Sequence, residues 1–120
     1  MKSIEIGNKL VELCRGANWA DAYTELFVAE PESVEAMGED RVAKGMAAIR
    51  GKMEWWDSTF DVKKMEVEGP FPHGESEFGV IFRLDTVNKQ TGEENHMDEL
   101  ALYELDADGK ITRERFFYGA

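Results

Sequence analysis

The segment of residues 94–118 constrains the fold of this chain more than any other. Two stretches rich in apolar and aromatic residues flank the tetrapeptide Asp-Ala-Asp-Gly at residues 106–109. Asp tolerates the backbone conformations of tight turns, and Gly109 can adopt a positive φ without steric cost. Both flanks are long for β-strands, which usually have about five or six residues. The segment therefore predicts a long β-hairpin.

A turn at residues 106–109 determines which side chains of the hairpin share a face, because strand side chains alternate with a period of two. If Leu105 lies opposite Lys110, Glu114 lies opposite Ala101, and Glu99 is its diagonal neighbour. Diagonal neighbours are about 7–8 Å apart at Cα, so the two carboxylates are expected to interact. One face then carries Met97, Glu99, Ala101, Tyr103, Thr112, Glu114, Phe116 and Tyr118. The other carries Asp98, Leu100, Leu102, Glu104, Ile111, Arg113, Arg115 and Phe117.

Composition limits the class of protein and its partners. The chain has 120 residues, of which 42% are hydrophobic, and predicts a single globular domain over residues 1–120. Its net charge of -11 argues against nucleic acid or an anionic membrane as a partner. The single cysteine, Cys14, excludes an intrachain disulfide, and no apolar run is typical of a signal peptide or a membrane span. We therefore expect a cytoplasmic protein.

Apolar residues recur at helical spacing in three places. The first stripe, within residues 6–17, predicts a helix that stops near Gly16. Asn18 is a suitable N-cap for a second helix, which should end before Pro31 because a residue that precedes proline disfavours the α conformation. The third stripe predicts a helix of four turns with one buried face, formed by Met46, Ile49, Met53, Trp56 and Phe60.

The remaining segments predict strands and loops. Residues 32–37 predict a short strand. Residues 61–69 predict a strand with a bulge or late start near Lys64, because their apolar side chains do not alternate regularly between the two faces. Residues 77–88 alternate regularly, with Phe78, Val80, Phe82, Leu84 and Thr86 on one face. Loops are expected at residues 38–41, 69–74 and 88–93. The order α-α-β-α-β-β-β-β predicts an α+β fold in which helices cover one face of a curved, largely antiparallel sheet.

Four stretches of the chain, in this order, resemble the nuclear transport factor 2-like superfamily, and in particular its SnoaL-like (polyketide cyclase) branch. They lie at residues 18–27, 44–50, 67–71 and 108–118. The resemblance covers nearly the whole chain and implies a cone, in which a bent sheet wraps the long third helix around an apolar pocket. It also implies a homodimer through the outer sheet face. The pocket lining would include Phe82, Leu84, Thr86, Met97, Ala101, Tyr103, Thr112, Phe116 and Tyr118.

The resemblance also allows a comparison with the ketosteroid isomerases of this superfamily. Those enzymes use an acidic base on the first strand, a tyrosine on the first helix and a buried acid on the penultimate strand. In this chain the first helix has no tyrosine, and the penultimate-strand position falls on Ala101. The first-strand base falls on Glu35 or Ala36. Ketosteroid isomerisation is therefore not expected.

Three carboxyls, Glu99, Glu114 and Glu35, are the candidate catalytic groups. In an aromatic pocket, burial and mutual repulsion would raise at least one pKa and give an acid beside a base. Alternatively, Glu99 and Glu114 only accept hydrogen bonds from tyrosines or water, or a one-residue slip turns both outward. Glu35 could equally be solvated, with its neighbours pointing inward.

The other polar side chains indicate neither a metal nor a cofactor. Tyr23, Tyr103 and Tyr118 are expected in the pocket. Each could polarise a ligand carbonyl, although packing is the commoner role of a buried tyrosine. His73, His96 and Cys14 stand at spacings unrelated to metal sites, and no phosphate-binding motif is present.

Two hypotheses about function follow. The chain is a cofactor-free acid–base enzyme of isomerase, cyclase or hydrolase type, acting on a small apolar carbonyl or polyketide-like compound. Alternatively, it is a ligand-binding or dimerisation module without chemistry. In both cases we expect a small apolar ligand in the cone.

Overall fold

A computed structural model of the chain describes residues 2–119 and has the predicted α+β architecture. Two helices, α1 and α2, precede strands β1 and β2, helix α3 follows, and strands β3 to β6 complete the chain. The elements are α1 Ser3–Arg15, α2 Trp19–Leu26, β1 Phe27–Val34, β2 Val42–Lys44, α3 Met46–Thr59, β3 Phe60–His73, β4 Glu77–Asn88, β5 Glu94–Leu105 and β6 Ile111–Phe117.

The six strands form one curved sheet in the order β2-β1-β6-β5-β4-β3. Strand β1 runs parallel to β6, and the other neighbouring pairs are antiparallel. The bounds of β4 match the prediction, and its predicted inner side chains are all buried. No helix within residues 2–119 has the length and apolarity needed to cross a membrane.

The hairpin of β5 and β6 forms, but its predicted register is wrong by two residues. Tyr103, and not Ala101, lies opposite Glu114, and Leu105 lies opposite Ile111. Because the shift is even, most side chains keep their predicted face. An irregularity beside Glu104 and Leu105 adds one residue to β6, however, and reverses the faces near its start. Ile111, predicted on the outer face, is consequently buried in the core.

Strand β3 contains the predicted bulge near Lys64, where the register shifts between Val62 and Lys64. The predicted loop at residues 69–74 is wrong, because β3 continues to His73 after a second shift beyond Glu68. This strand is at the edge of the sheet. An edge position tolerates the prolines of this segment, because their missing N–H groups remove no hydrogen bond between two central strands.

The region between α2 and α3 differs from its prediction. Helix α2 ends at Leu26, and β1 begins at Phe27 and includes Pro31, so the short strand predicted at residues 32–37 starts earlier. The pairing of β1 with β6 is irregular between Phe27 and Glu32, which accommodates the proline inside a strand. Strand β2 was not predicted, since three residues cannot display a period. Asn18 precedes α2 as expected but forms no side-chain cap.

The core lies between α1 and the inner face of the sheet. Ile6, Leu10 and Val11 of α1 are buried in one cluster with Phe78 and Val80 of β4. Helix α3 is different, because Ile49 is its one buried residue among those described. The predicted buried stripe of α3 is thus wrong for its second half, whose side chains border a cavity.

Candidate active site

A cavity of about 370 Å³ lies between the inner sheet face and the three helices. Its wall is mainly apolar and aromatic. All three tryptophans of the chain border it: Trp19 on α2, and Trp55 and Trp56 on α3. The two α3 tryptophans pack against Phe60, with ring centroids 5.9 and 4.7 Å from that of Phe60. A space of this volume and character suits a small organic ligand.

The structure places all three candidate carboxyls, Glu35, Glu99 and Glu114, at this cavity. Seven of the residues expected to line the pocket also border it: Tyr23, Phe82, Leu84, Met97, Tyr103, Phe116 and Tyr118. Thr86 and Ala101 are buried on the same face but do not reach the cavity wall. Thr112 does not line the cavity either, because it is the extra residue of the β6 irregularity. Its hydroxyl donates instead to the Glu104 carbonyl oxygen at 3.2 Å.

Glu114 is buried to 2% exposure and accepts a hydrogen bond from the Tyr23 hydroxyl at 2.6 Å. Ser33 of β1 is the partner of Glu114 in the parallel ladder. Burial raises the pKa of Glu114, whereas the hydrogen bonds from Tyr23 and Ser33 and the nearby Lys52 ammonium lower it. The net pKa is above the ordinary value. Burial also raises the pKa of Tyr23, so the phenol remains the donor of this pair.

Glu99 differs from Glu114 in its surroundings. Burial raises the pKa of Glu99 to about 7, the negative charge of Glu35 adds to this effect, and Lys52 opposes it. Glu114 contributes less than Glu35 to the raised pKa. The observed register explains this order, since Glu114 lies opposite Tyr103, four residues along β5 from Glu99, and not at the diagonal position expected from the sequence.

Glu35 follows β1 directly and is held by Lys52 of α3. The Lys52 Nζ lies 3.3 Å from the Glu35 Oε1, 2.7 Å from the Ser33 Oγ and 5.1 Å from the ring centroid of Phe116. Ser33 is buried, and Glu35 has the same strand parity, which explains why it borders the cavity. The alternative, a fully solvated Glu35, does not agree with this position.

Lys52 and Ser33 are the site residues that the sequence reasoning missed. One signal could have indicated Lys52, because it stands three residues after Ile49 and therefore shares the inward side of α3 with Met53 and Trp56. No comparable signal indicates Ser33, since its role depends on the parallel pairing of β1 with β6.

The remaining titratable groups at the cavity are weak candidates for chemistry. Burial and the charge of Glu114 raise the pKa of Cys14 to about 12, which makes its thiol unreactive at neutral pH. Burial likewise raises the pKa of Tyr103 and Tyr118. Both histidines are exposed, and His96 lies between Asp85 and Asp98 on the opposite sheet face. Within residues 2–119, no group of three or more His, Cys, Asp or Glu side chains could hold a metal ion.

Comparison with known proteins gives the same fold and one close relative. The SnoaL-like domain family matches residues 1–118. A candidate SnoaL-like polyketide cyclase from Mesorhizobium loti is 38% identical, with a TM-score of 0.91 over 98% of this chain and 100% of that chain. No curated protein matches the chain by sequence.

Two more distant structures are similar in fold alone. One is an NTF2-like protein from Burkholderia thailandensis, with 16% identity and a TM-score of 0.79 over 98% of this chain and 90% of that chain. The other is a Mycobacterium tuberculosis protein in complex with estradiol-17β-hemisuccinate, with 15% identity and a TM-score of 0.74 over 99% of this chain and 95% of that chain.

Proposed function

Because the chain belongs to the SnoaL-like domain family, we propose that it is a cofactor-free acid–base enzyme acting on a small, largely apolar carbonyl compound of polyketide type. One observation carries this proposal: Glu99 borders an apolar cavity with a pKa raised to about 7. A general acid–base group is most effective when its pKa lies near the working pH, where both protonation states are populated.

The proposed reaction is proton transfer next to a carbonyl group. The Glu99 carboxylate takes a proton from the carbon beside the carbonyl, and the electron pair of that C–H bond moves towards the carbonyl oxygen as an enolate. A hydroxyl donor stabilises the negative oxygen. Tyr23 already donates to Glu114, so Tyr103 and Tyr118 are the phenols available for this contact. Glu99 then returns its proton to a different carbon of a conjugated enolate, which completes an isomerisation. In a ring closure the enolate carbon instead attacks a second carbonyl group of the substrate, and Glu99 gives its proton to the alkoxide that forms.

Deuterium exchange tests the proposal without knowledge of the natural substrate. The protein is incubated in D2O with a panel of small cyclic ketones and 1,3-diketones, and deuterium incorporation is followed by mass spectrometry. We expect at least one compound to exchange faster than in buffer, with a rate that rises with pH to a plateau through about pH 7. Glu99→Gln should reduce the rate by a factor of about 10² or more. Glu94→Gln, on an exposed position of the same strand, is the matched control.

The alternative function is ligand binding without chemistry. The size and apolar wall of the cavity favour it, as does the steroid ester bound by the Mycobacterium tuberculosis protein of similar fold. Calorimetric titration of the same panel distinguishes the two functions. One result would favour the binding module over the enzyme. A compound binds, Glu99→Gln leaves its affinity unchanged, and the unmodified protein exchanges deuterium no faster than buffer does.

We also propose a homodimer through the outer sheet face. Leu100 and Leu102 are half-buried there, and Phe117 is 43% exposed beside Arg115. On the same face the Nε atoms of Arg113 and Arg115 lie 3.4 and 3.7 Å from the Glu104 Oε2, so the positive charges of this face are partly neutralised. Light scattering after size exclusion should give twice the chain mass, and Leu102→Asp should convert the dimer to a monomer.

A further inference from the structure

We propose that Lys52 is a positioning residue of the cavity: it engages Glu35 directly and Glu114 through Ser33, and so leaves Glu99 as the carboxyl that exchanges a proton with a bound ligand. This inference deepens the proposed function and rests on it for its catalytic meaning. Nothing in the family match or in the related structures assigns this role.

Three contacts, two at the end of β1 and one on β6, determine the position of the Lys52 ammonium. It donates to the Ser33 hydroxyl oxygen on β1 at 2.7 Å, lies 3.3 Å from the carboxylate of Glu35, and lies over the Phe116 ring of β6. The side chain is only 27% exposed. A lysine extending across the cavity from α3 to two strands at once is therefore held in place, and does not extend into solvent.

The direction of the hydrogen bonds follows from the chemistry of lysine. An ammonium group has donors only, so the Ser33 oxygen must accept from Lys52. The hydroxyl proton of Ser33 is then available for Glu114, which is the partner of Ser33 in the β1–β6 ladder and whose pKa Ser33 lowers. Tyr23 donates to the same carboxyl from α2. Lys52 thus makes Ser33 a donor towards Glu114, beside Tyr23.

The three carboxyls consequently have different tasks. Glu35 pairs with Lys52, and Glu114 receives Ser33 and Tyr23. Burial and the charges of Glu35 and Glu114 raise the pKa of Glu99, the charge of Lys52 lowers it, and no hydrogen bond contributes to the shift. The other titratable groups that border the cavity are Cys14 on α1, Tyr23 on α2, Asp57 on α3, Tyr103 on β5 and Tyr118 after β6.

The test is a carboxyl NMR titration of the free protein, with Glu99→Gln to assign the Glu99 signal. Removal of the Lys52 charge by Lys52→Met should raise the titration midpoint of Glu99 by about 0.5 to 1 pH unit. Removal of the Glu35 charge by Glu35→Gln should lower it, because Glu35 acts with the opposite sign. Lys52→Arg keeps the charge and should restore a midpoint near that of the unmodified protein. Lys44→Met is the matched control, since Lys44 is an exposed lysine of β2.

If Lys52 had only a structural role, Lys52→Met and Glu35→Gln would not move the Glu99 midpoint in opposite directions. The inference is overturned if Lys52→Met moves the midpoint no more than Lys44→Met does, or if Glu35→Gln moves it upward or not at all. If Lys52→Met does not fold, Lys52→Gln takes its place in the titration. A Glu99 midpoint that Glu35→Gln does not lower overturns the inference in either case. These titrations need no substrate, so they separate a failure of this inference from a failure of the proposed enzyme activity.

Discussion

Glu99 and Glu114 share one face of the sheet, yet the groups around them make them chemically unlike. Glu114 receives two hydroxyl donors, whereas burial and the neighbouring charges alone act on Glu99. The stability of the protein should therefore depend on the two carboxyls in different ways, which substitutions at each can separate.

Glu99→Gln should remove a pH dependence of stability. The pKa of Glu99 is higher in the folded than in the unfolded chain, so the folded state binds the proton more strongly. Its stabilising contribution is complete below the ordinary pKa of about 4.5 and is lost as the pH rises through about 7. The variant should match the unmodified protein near pH 4.5 and exceed it at pH 8 by at most about 3 kcal/mol. Urea unfolding at both pH values measures this, and a difference independent of pH would contradict it.

Tyr23→Phe should destabilise the protein through Glu114. The substitution removes the hydroxyl that donates at 2.6 Å and leaves one oxygen of a buried carboxyl without that donor. We expect a loss of about 1–3 kcal/mol in the free energy of unfolding at neutral pH. Tyr103→Phe is the control, because Tyr103 is a buried tyrosine of the same cavity and its ring stacks on Phe78. Equal losses in the two variants would show that the contact with Glu114 contributes nothing.

At the scale of elements, sequence reasoning succeeded where the pattern is local. The alternation within β4 and the chemistry of the 106–109 turn predicted three strands, β4, β5 and β6, and the inner faces of β4 and β5. Residue parity also predicted the bulge near Lys64. The candidate site was predictable in part: strand parity placed Glu99 and Glu114 on one face, and the family resemblance identified that face as the pocket side and added Glu35.

What the sequence could not predict depends on contacts between distant segments. The extra residue in β6 has no local signature, and it decides the burial of Ile111. Strand β1 forms because it pairs in parallel with β6, although a proline such as Pro31 usually disrupts the pairing of a strand. Ser33 and Lys52 meet only after β1 and α3 are in place, so their roles emerge at the tertiary level.

The irregularity in β6 gives a direct test of this register. Ile111 is fully buried, whereas Thr112 is half-buried and makes one hydrogen bond through its side chain. Ile111→Ala should therefore cost about 2–4 kcal/mol in the free energy of unfolding, and Thr112→Ala about 1 kcal/mol or less. Regular pairing without the extra residue predicts the reverse order. Thermal or urea unfolding of the two variants decides between the registers.

The contact of α1 with β3 makes a glycine unusual. A Cβ added at Gly7 would lie 2.5 Å from the Pro70 Cβ, whereas a Cβ at Gly51 in α3 meets no atom within 4 Å. Alanine is the better helix former by about 1 kcal/mol. Gly51→Ala should therefore stabilise the protein by up to about 1 kcal/mol, and Gly7→Ala should destabilise it by about 1–3 kcal/mol. Parallel urea titrations measure both, and a stabilised Gly7→Ala would show that α1 can move away from β3.

At the scale of the whole molecule, the net charge of -11 opposes the compact state. Salt screens this repulsion, since the Debye length falls from about 10 Å at 0.1 M to about 3 Å at 1 M. Raising sodium chloride from about 0.05 to about 0.5 M should therefore increase the free energy of unfolding at pH 8 by about 1 kcal/mol. Urea unfolding at both concentrations measures the effect. A decrease would mean that attractive ion pairs outweigh the general repulsion.

The grouping of all three tryptophans around one cavity also has an optical consequence. Indole emission depends on the polarity and mobility of the surroundings, and here every indole in the chain borders the same small volume, with Trp55 also 59% exposed to solvent. The unlabelled protein is thus its own fluorescent sensor. A compound that displaces water from the wall shifts the emission to shorter wavelength, and one that absorbs in the emission band quenches it. Compound libraries can be screened by this signal before any reaction is known.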